Sequence, residues 1–167
     1  MNWALEALWT ADWPLVAFGL VVVGFLPVKK PLVSRGISLA VSFLWLGLAL
    51  VTLSRSPAGN LWTTVWALLA WLEALAFLMF GVLSERLRFG ARNGPWTLVG
   101  TALALYTLVA FPLLRHFEIL PEPSVFGAPF PLVLFTFAIL FFAVDTVDRI
   151  ASLALGVPLL WAFFAGP

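Results

Sequence analysis

The sequence predicts an all-α protein, a polytopic transmembrane helical bundle of six spans with both termini on the outer side. The first observation is composition, since 63% of the 167 residues are hydrophobic and 10% are charged, whereas a soluble domain has about 45–50% apolar and about 25% charged residues. The second is that long apolar runs recur along the whole chain. The third is that lysine and arginine concentrate in alternate connections. We expect one transmembrane domain over residues 1–167.

The first eleven residues are too short to cross a bilayer. Trp3, Ala7 and Leu8 recur at helical spacing, which favours a short interfacial segment along the membrane surface. The acidic residues of this region precede the first apolar run, and Lys29 and Lys30 follow it. A cleavable secretory signal has the reverse order of charge, so we expect the first apolar run to remain as a helix.

Six apolar runs approach the length of about 20 residues that a membrane-spanning helix needs. Pro14 and Pro95 open the first and fourth runs, and proline is favoured in the first turn of a helix. The fifth and sixth runs are short, so each either takes in flanking residues or lies where the bilayer thins; a re-entrant hairpin is the alternative. The predicted spans are about 13–28, 32–53, 61–83, 95–114, 129–144 and 150–164.

The basic residues predict the orientation of these spans. Cytoplasmic connections carry the excess of lysine and arginine in multi-pass proteins. We therefore place the odd-numbered connections in the cytoplasm and both termini outside, in a bacterial cytoplasmic (inner) membrane. The odd connections hold Lys29, Lys30, Arg35, Arg86, Arg88, Arg92 and Arg149, and the even connections hold Arg55 and Arg115.

Composition also narrows the classes of function. The chain has no cysteine and one histidine, which excludes disulfides, thiol nucleophiles and thiolate metal sites formed by this chain. We predict no cofactor, no nucleic-acid partner and no enzymatic activity. The expected partners are the lipid bilayer, anionic headgroups at the basic cytoplasmic connections, and either a second copy of the chain or a larger membrane protein.

Glu73 interrupts the third predicted span near its midpoint. Burying a carboxyl group in hydrocarbon is costly, so an intramembrane acid is a candidate functional residue. Without a cationic partner, desolvation favours the neutral acid, which could donate a hydrogen bond to Tyr106 or to a ligand. Two interpretations remain open: a proton-coupled or ligand-binding site, and a buried polar contact that fixes the register of two helices.

Other polar residues lie at the same depth as Glu73. Neighbouring spans run in opposite directions, so residues near their midpoints come to one level of the membrane. The candidates for a shared proton or ligand site are therefore Glu73, Ser42, Tyr106, Thr107 and Thr136.

Small residues indicate where helices could approach closely. On a regular helix Glu73 shares a face with Ala70, Ala76 and Phe80, and small residues are enriched where membrane helices pack. Two further pairs with the small-x-x-x-small spacing, Gly36 with Ala40 and Gly100 with Ala104, predict similar faces on the second and fourth spans.

The fourth connection contains the residues His116, Glu118 and Glu122. Imidazole and carboxylate groups can bind zinc, but a second histidine and any metal-binding motif are missing. These residues are weak candidates, and we predict a solvated polar loop without a metal.

Four stretches of the second half carry a resemblance to known proteins: 86–89 (RLRF), 103–114 (LALYTLVAFPLL), 123–131 (PSVFGAPFP) and 135–140 (FTFAIL). Over residues 86–142 the chain resembles a functionally uncharacterised family of bacterial six-span integral membrane proteins. Family members tend to have Pro-Cys-Pro followed by two threonines where this chain has Pro129-Phe130-Pro131 and Leu132-Val133. The resemblance implies a six-span fold and a membrane location, and it implies no reaction.

We weigh three classes of function. Transport or binding of a small molecule or ion fits the polar set at mid-depth around Glu73. A non-catalytic accessory or assembly subunit of a larger membrane complex fits the small size and the scarcity of polar residues. An intramembrane enzyme fits least, because the sequence has no cysteine and no metal motif.

Overall fold

A computed structural model describes residues 13–55, 61–84, 86–90, 94–116 and 129–144. Within these ranges the secondary structure is helical, apart from one isolated bridge between two connecting segments. The predicted interfacial segment, the sixth predicted span and the candidates Glu118 and Glu122 lie outside the described residues.

The described helices follow the predicted runs in order. Three of the continuous helical stretches are long and apolar enough to cross a membrane: Pro31–Ser54, Leu61–Leu83 and Pro95–Leu114. Two of them contain a π-helical segment, which we name π1 and π2. The elements are α1 (Trp13–Phe25), α2 (Pro31–Arg55), α3 (Leu61–Ala76), π1 (Phe77–Leu83), α4 (Pro95–Leu105), π2 (Tyr106–Ala110), α5 (Phe111–His116) and α6 (Pro129–Leu140).

Proline sets several of the helix boundaries. Pro31, Pro95 and Pro129 are each the first residue of a helix, where the missing N–H leaves no intrahelical bond unmade. At the other end of α1, Leu26 precedes Pro27, and a residue before proline is disfavoured in the helical conformation. The helix therefore ends at Phe25 instead of reaching residue 28.

Two of the predicted spans are shorter as helices than the sequence suggested. α1 has 13 residues and α6 has 12, whereas crossing a bilayer takes about 17–25. α6 ends at Leu140, after which Phe142 N and Ala143 N donate to carbonyl groups three residues back. Beyond this turn, Val144 N donates to Arg88 O at 2.8 Å, and Gly90 N donates to Phe142 O at 3.0 Å. These bonds form the bridge between Phe89 and Ala143.

α2 is the central helix of the described part. α3 and π1 pack along it, α6 lies between α2 and α4, and α1 contacts α2 and π2. Ser42 of α2 meets Ala74, and Ser38 of α2 meets Gly81. Because the sequence number rises on one helix as it falls on the other, α2 and α3 are antiparallel. Trp45 of α2 is fully buried in the core.

Several connections meet at one end of the bundle, which we call the basic end. The backbone N of Phe89 donates to Ser34 Oγ at 3.1 Å, so residues 86–90 lie against the start of α2. A Cβ on Gly90 would stand 3.1 Å from Lys29 Cγ and 3.2 Å from Val144 Cγ2. The first and third connections and the segment after α6 are therefore on the same side, as the alternating basic residues predict.

Large apolar side chains cover the outward faces of the membrane-length helices. A soluble protein rarely exposes an extended apolar surface, whereas helices in a bilayer present such a surface to lipid. The exposed side chains include Phe43, Leu50, Leu68, Leu72, Leu75, Met79, Leu98 and Leu105.

Candidate functional site

Glu73 is buried, with 3% of its surface exposed. It lies in the middle of the continuous helix Leu61–Leu83, which is long enough to cross a membrane. The sequence-based expectation that this carboxyl group faces the bundle therefore agrees with its burial. Within the described residues, no hydrogen bond or ion pair joins the Glu73 side chain to another residue.

The buried face of α3 and π1 is centred on small residues. Ala67, Ala70, Ala74 and Gly81 are all buried, and Glu73 lies at the edge of this stripe. Phe80, which we expected on the same face, is 42% exposed. The reason is that the packed face follows the small residues and is not centred on the glutamate.

A line of serines on α2 faces this stripe and the connection that follows π1. Ser34, Ser38 and Ser42 are buried and four residues apart, so they lie on one side of the helix. Ser42 Oγ donates to the carbonyl oxygen of Ala74 at 2.8 Å, one residue beyond Glu73. Sequence reasoning identified Ser42 by its depth but missed Ser34 and Ser38, although their regular spacing was a visible signal.

Ser38 and Gly81 mark the closest approach of α2 to π1. A Cβ on Gly81 would overlap the Cβ and Oγ of Ser38, so this position requires glycine. Ser38 Oγ is buried and has no hydrogen-bond partner among the described residues. The backbone contact therefore places an unpaired hydroxyl group in the seam between the two helices.

A second polar contact lies one helical turn from Ser42. Trp45 Nε1 donates to Thr136 Oγ1 at 3.0 Å, and Thr136 Oγ1 donates to Leu132 O at 2.8 Å. Trp45 is 0% exposed and Thr136 is 3% exposed. Thr136 is thus at the expected depth, but its hydroxyl group binds a tryptophan of α2 instead of Glu73.

The two neighbouring candidates of the fourth predicted span lie on different sides of their helix. Thr107 is buried, and its Oγ1 donates to Leu103 O at 2.8 Å. Tyr106 is 39% exposed and makes no hydrogen bond with Glu73 in the described part of the chain. The structure therefore brings Ser42 beside the Glu73 backbone and leaves Tyr106 on the outer surface.

The small-residue pairs have different roles. A Cβ on Gly100 would stand 2.9 Å from Ala138 O, and Ala104 is buried, so this pair forms a close contact with α6, as expected. Gly36 does not: no atom of the described residues lies within 4 Å of a Cβ built there. It borders a groove instead.

The described residues offer a carboxyl group in an apolar setting and few other reactive groups. They contain no group of three His, Asp or Glu side chains that could hold a metal ion. His116 ends α5, while its two proposed companions lie outside the described ranges. A buried carboxyl group beside a helix that carries hydroxyl groups can bind a proton. It can also accept a hydrogen bond from a ligand or, when protonated, donate one to it.

Comparison with known proteins identifies a family. The model of a family of unknown function, DUF6064, matches residues 5–167. The resemblance seen over residues 86–142 is thereby confirmed as resemblance to an uncharacterised family, and it extends over both halves of the chain. No curated protein and no solved structure matches.

Proposed function

Since the chain belongs to DUF6064, a family of unknown function, we propose a function from its own residues: binding or transport of a small molecule or ion at a mid-depth site around Glu73. The proposal includes a bacterial inner-membrane location and six spans with both termini outside. The observation that carries it is the burial of Glu73 halfway along a membrane-length helix. Ionisable residues in such positions commonly serve proton relays and ion pathways.

The surroundings of Glu73 support a site more than a rigid clamp. A carboxyl group that only fixed helix register would be expected to hydrogen-bond across the interface. Across this interface Ser42 Oγ donates to the Ala74 carbonyl group. Among the described residues this helix contact therefore does not use the carboxyl group, which can bind a proton or a ligand.

Replacing Glu73 with glutamine tests this proposal. Glu73→Gln keeps the size of the side chain and removes its ability to exchange a proton. The assay uses proteoliposomes that carry a pH-sensitive dye, in which the wild-type protein should increase proton or solute flux. Glu73→Gln should reduce that flux at least about tenfold. A tenfold change corresponds to the loss of one functional contact of about 1.4 kcal/mol.

The control is Glu118→Gln, which changes a carboxyl group in the predicted outer loop and should leave flux unchanged. Thermal stability measured across pH provides a second readout, since Glu73→Gln should lose a pH-dependent component that Glu118→Gln retains. Wild-type flux equal to that of empty liposomes, together with identical pH dependence in Glu73→Gln, would refute the proposal.

The alternative is a non-catalytic accessory subunit, and one observation favours it. Among the described elements, α3 and π1 pack chiefly against α2, which leaves Leu68, Leu72 and Leu75 on an outward apolar face. A larger membrane partner could bind there. Chemical cross-linking in native membranes followed by purification should then recover a stoichiometric partner, and Leu72→Trp should weaken its recovery.

A further inference from the structure

An apolar groove separates α1 from α2 near the basic end. Its volume is about 290 Å³, near the lower end of the range of about 300–1,000 Å³ for small-molecule pockets. Gly36 forms part of its floor, and no described atom would contact a Cβ at that position. The groove is lined by Phe18, Val22 and Phe25 of α1 and by Val33, Gly36 and Ala40 of α2.

The length of the groove identifies the kind of molecule that fits. From Val33 to Ala40 the helix rises roughly 10 Å, and one leaflet of the hydrocarbon core is about half of 30 Å thick. The groove therefore begins at the basic end and stays within one leaflet. A spanning helix of a partner would need a face twice as long, whereas an acyl chain from that leaflet fits the available length.

The mouth of the groove is positively charged. Lys29 and Lys30 are exposed in the connection between α1 and α2, and the groove residue Val33 donates its N–H to Lys30 O at 3.0 Å. α2 begins at Pro31, and the N-terminus of a helix adds partial positive charge. A phosphate group at this mouth would be attracted by both features.

We propose that this groove binds one acyl chain of an anionic phospholipid, whose phosphate group is held by Lys29 and Lys30. The lipid belongs to the leaflet at the basic end. It fills the space between α1 and α2 and so completes the contact of α1 with the bundle. This site is separate from Glu73, which does not line the groove.

Two leucine variants test the groove. Gly36→Leu adds a side chain to the groove lining at a position where the Cβ meets open space. Gly47→Leu makes the same change on α2 where the Cβ also meets open space but no groove residue is involved. The purified protein is mixed with phosphatidylglycerol or phosphatidylcholine vesicles of matched acyl chains, and thermal stability is measured.

Phosphatidylglycerol should raise the melting temperature of wild type and Gly47→Leu by several degrees more than phosphatidylcholine does. Gly36→Leu should lose most of this difference, and Lys29→Gln with Lys30→Gln should lose the headgroup preference. Equal responses to the two lipids in wild type, or an unchanged preference in Gly36→Leu, would overturn the proposal.

A single-cysteine variant gives an independent measurement. Because the chain has no cysteine, a photoreactive group can be attached at Gly36→Cys alone. Illumination in phosphatidylglycerol vesicles should yield a lipid adduct detected by mass spectrometry, with fewer adducts at Gly47→Cys. Cross-linking at Gly36→Cys to a second copy, or to another segment of the same chain in place of lipid, would refute the lipid as the occupant.

Discussion

At the scale of single residues, Ser42 makes a direct polar bond between α2 and α3. Ser42→Ala removes the donor to Ala74 O while leaving the packing almost unchanged. We expect a loss of about 0.5–1.5 kcal/mol, the range for hydrogen bonds between membrane helices. Reversible unfolding in mixed micelles measures it.

Ser54→Ala is the matched control for this change, because Ser54 is exposed and its Oγ donates to Val51 O within the same helix. Its effect should stay within about 0.5 kcal/mol, as is usual for surface positions. Equal losses in the two variants would show that the bond to Ala74 contributes nothing specific.

Gly81 and Ser38 are in close contact, so the size of side chain that one position tolerates depends on the residue at the other. Gly81→Ala introduces a Cβ that overlaps the Ser38 side chain, so the helices must separate, and we expect destabilisation of about 1–3 kcal/mol. Ser38→Gly with Gly81→Ala removes the overlapping atoms and should recover most of this loss. If the double variant is no more stable than Gly81→Ala alone, the close approach of the two helices is not the cause of the destabilisation.

The positions of Tyr106 and Thr107 show how much of the site could be predicted from sequence. Depth along a span was predictable by counting residues, and Ser42, Glu73 and Thr136 are indeed buried near mid-length. The side of the helix on which a residue lies was predictable only with a second observation, namely the positions of the small residues. Once Gly100 and Ala104 define the packed face, Tyr106 lies about 200° from Ala104 at 3.6 residues per turn, on the outer side.

At the scale of elements, α2 and α6 are joined by the bond from Trp45 to Thr136. A double-mutant cycle with Trp45→Phe and Thr136→Val isolates this bond, because the sum of the single effects should exceed the effect of the double change. We expect a coupling energy of about 0.5–1.5 kcal/mol, as for residues in direct contact.

The control cycle pairs Trp45→Phe with Thr101→Val. Thr101 Oγ1 bonds to Thr97 O in its own helix and is exposed, so its coupling with Trp45 should be close to zero. Coupling of similar size in both cycles would indicate a general loosening of the bundle instead of a bond between α2 and α6.

The hydrophobic runs predicted which segments are helical, but they predicted the length of only some of these helices. α2 and the continuous helix Leu61–Leu83 match the predicted ranges closely because apolar composition and flanking polar residues agree there. α6 ends before residue 144, and beyond its last turn Phe142 O and Val144 N bond with residues 88–90. Such a pairing joins segments that are far apart in the chain, so no local sequence pattern predicts it.

At the scale of the whole molecule, charge and backbone contacts mark the same end of the bundle. In the sequence, lysine and arginine concentrate in alternate connections. In the structure, Phe89 N donates to Ser34 Oγ at that end, and Val144 N donates to Arg88 O. Because the two observations are independent, they support treating the first and third connections and the segment after α6 as one surface.

Labelling with a membrane-impermeant maleimide can determine which side of the membrane this surface occupies. The chain has no cysteine, so each variant reports one position. Ser84→Cys lies at the basic end and Ser54→Cys at the opposite end of the bundle; both serines are exposed. We expect Ser54→Cys to react in intact spheroplasts and Ser84→Cys to react only after lysis, because basic connections remain in the cytoplasm.

Pro167→Cys extends the same experiment to the number of spans. With six spans the C-terminal residue must lie on the same side as Ser54, so it should react before lysis. Reaction only after lysis would mean an odd number of crossings after Ser54, and the short segments near the C-terminus would then include one that does not span. If Ser84→Cys reacted before lysis while Ser54→Cys did not, the orientation would be inverted, and the phospholipids at Lys29 and Lys30 would belong to the outer leaflet.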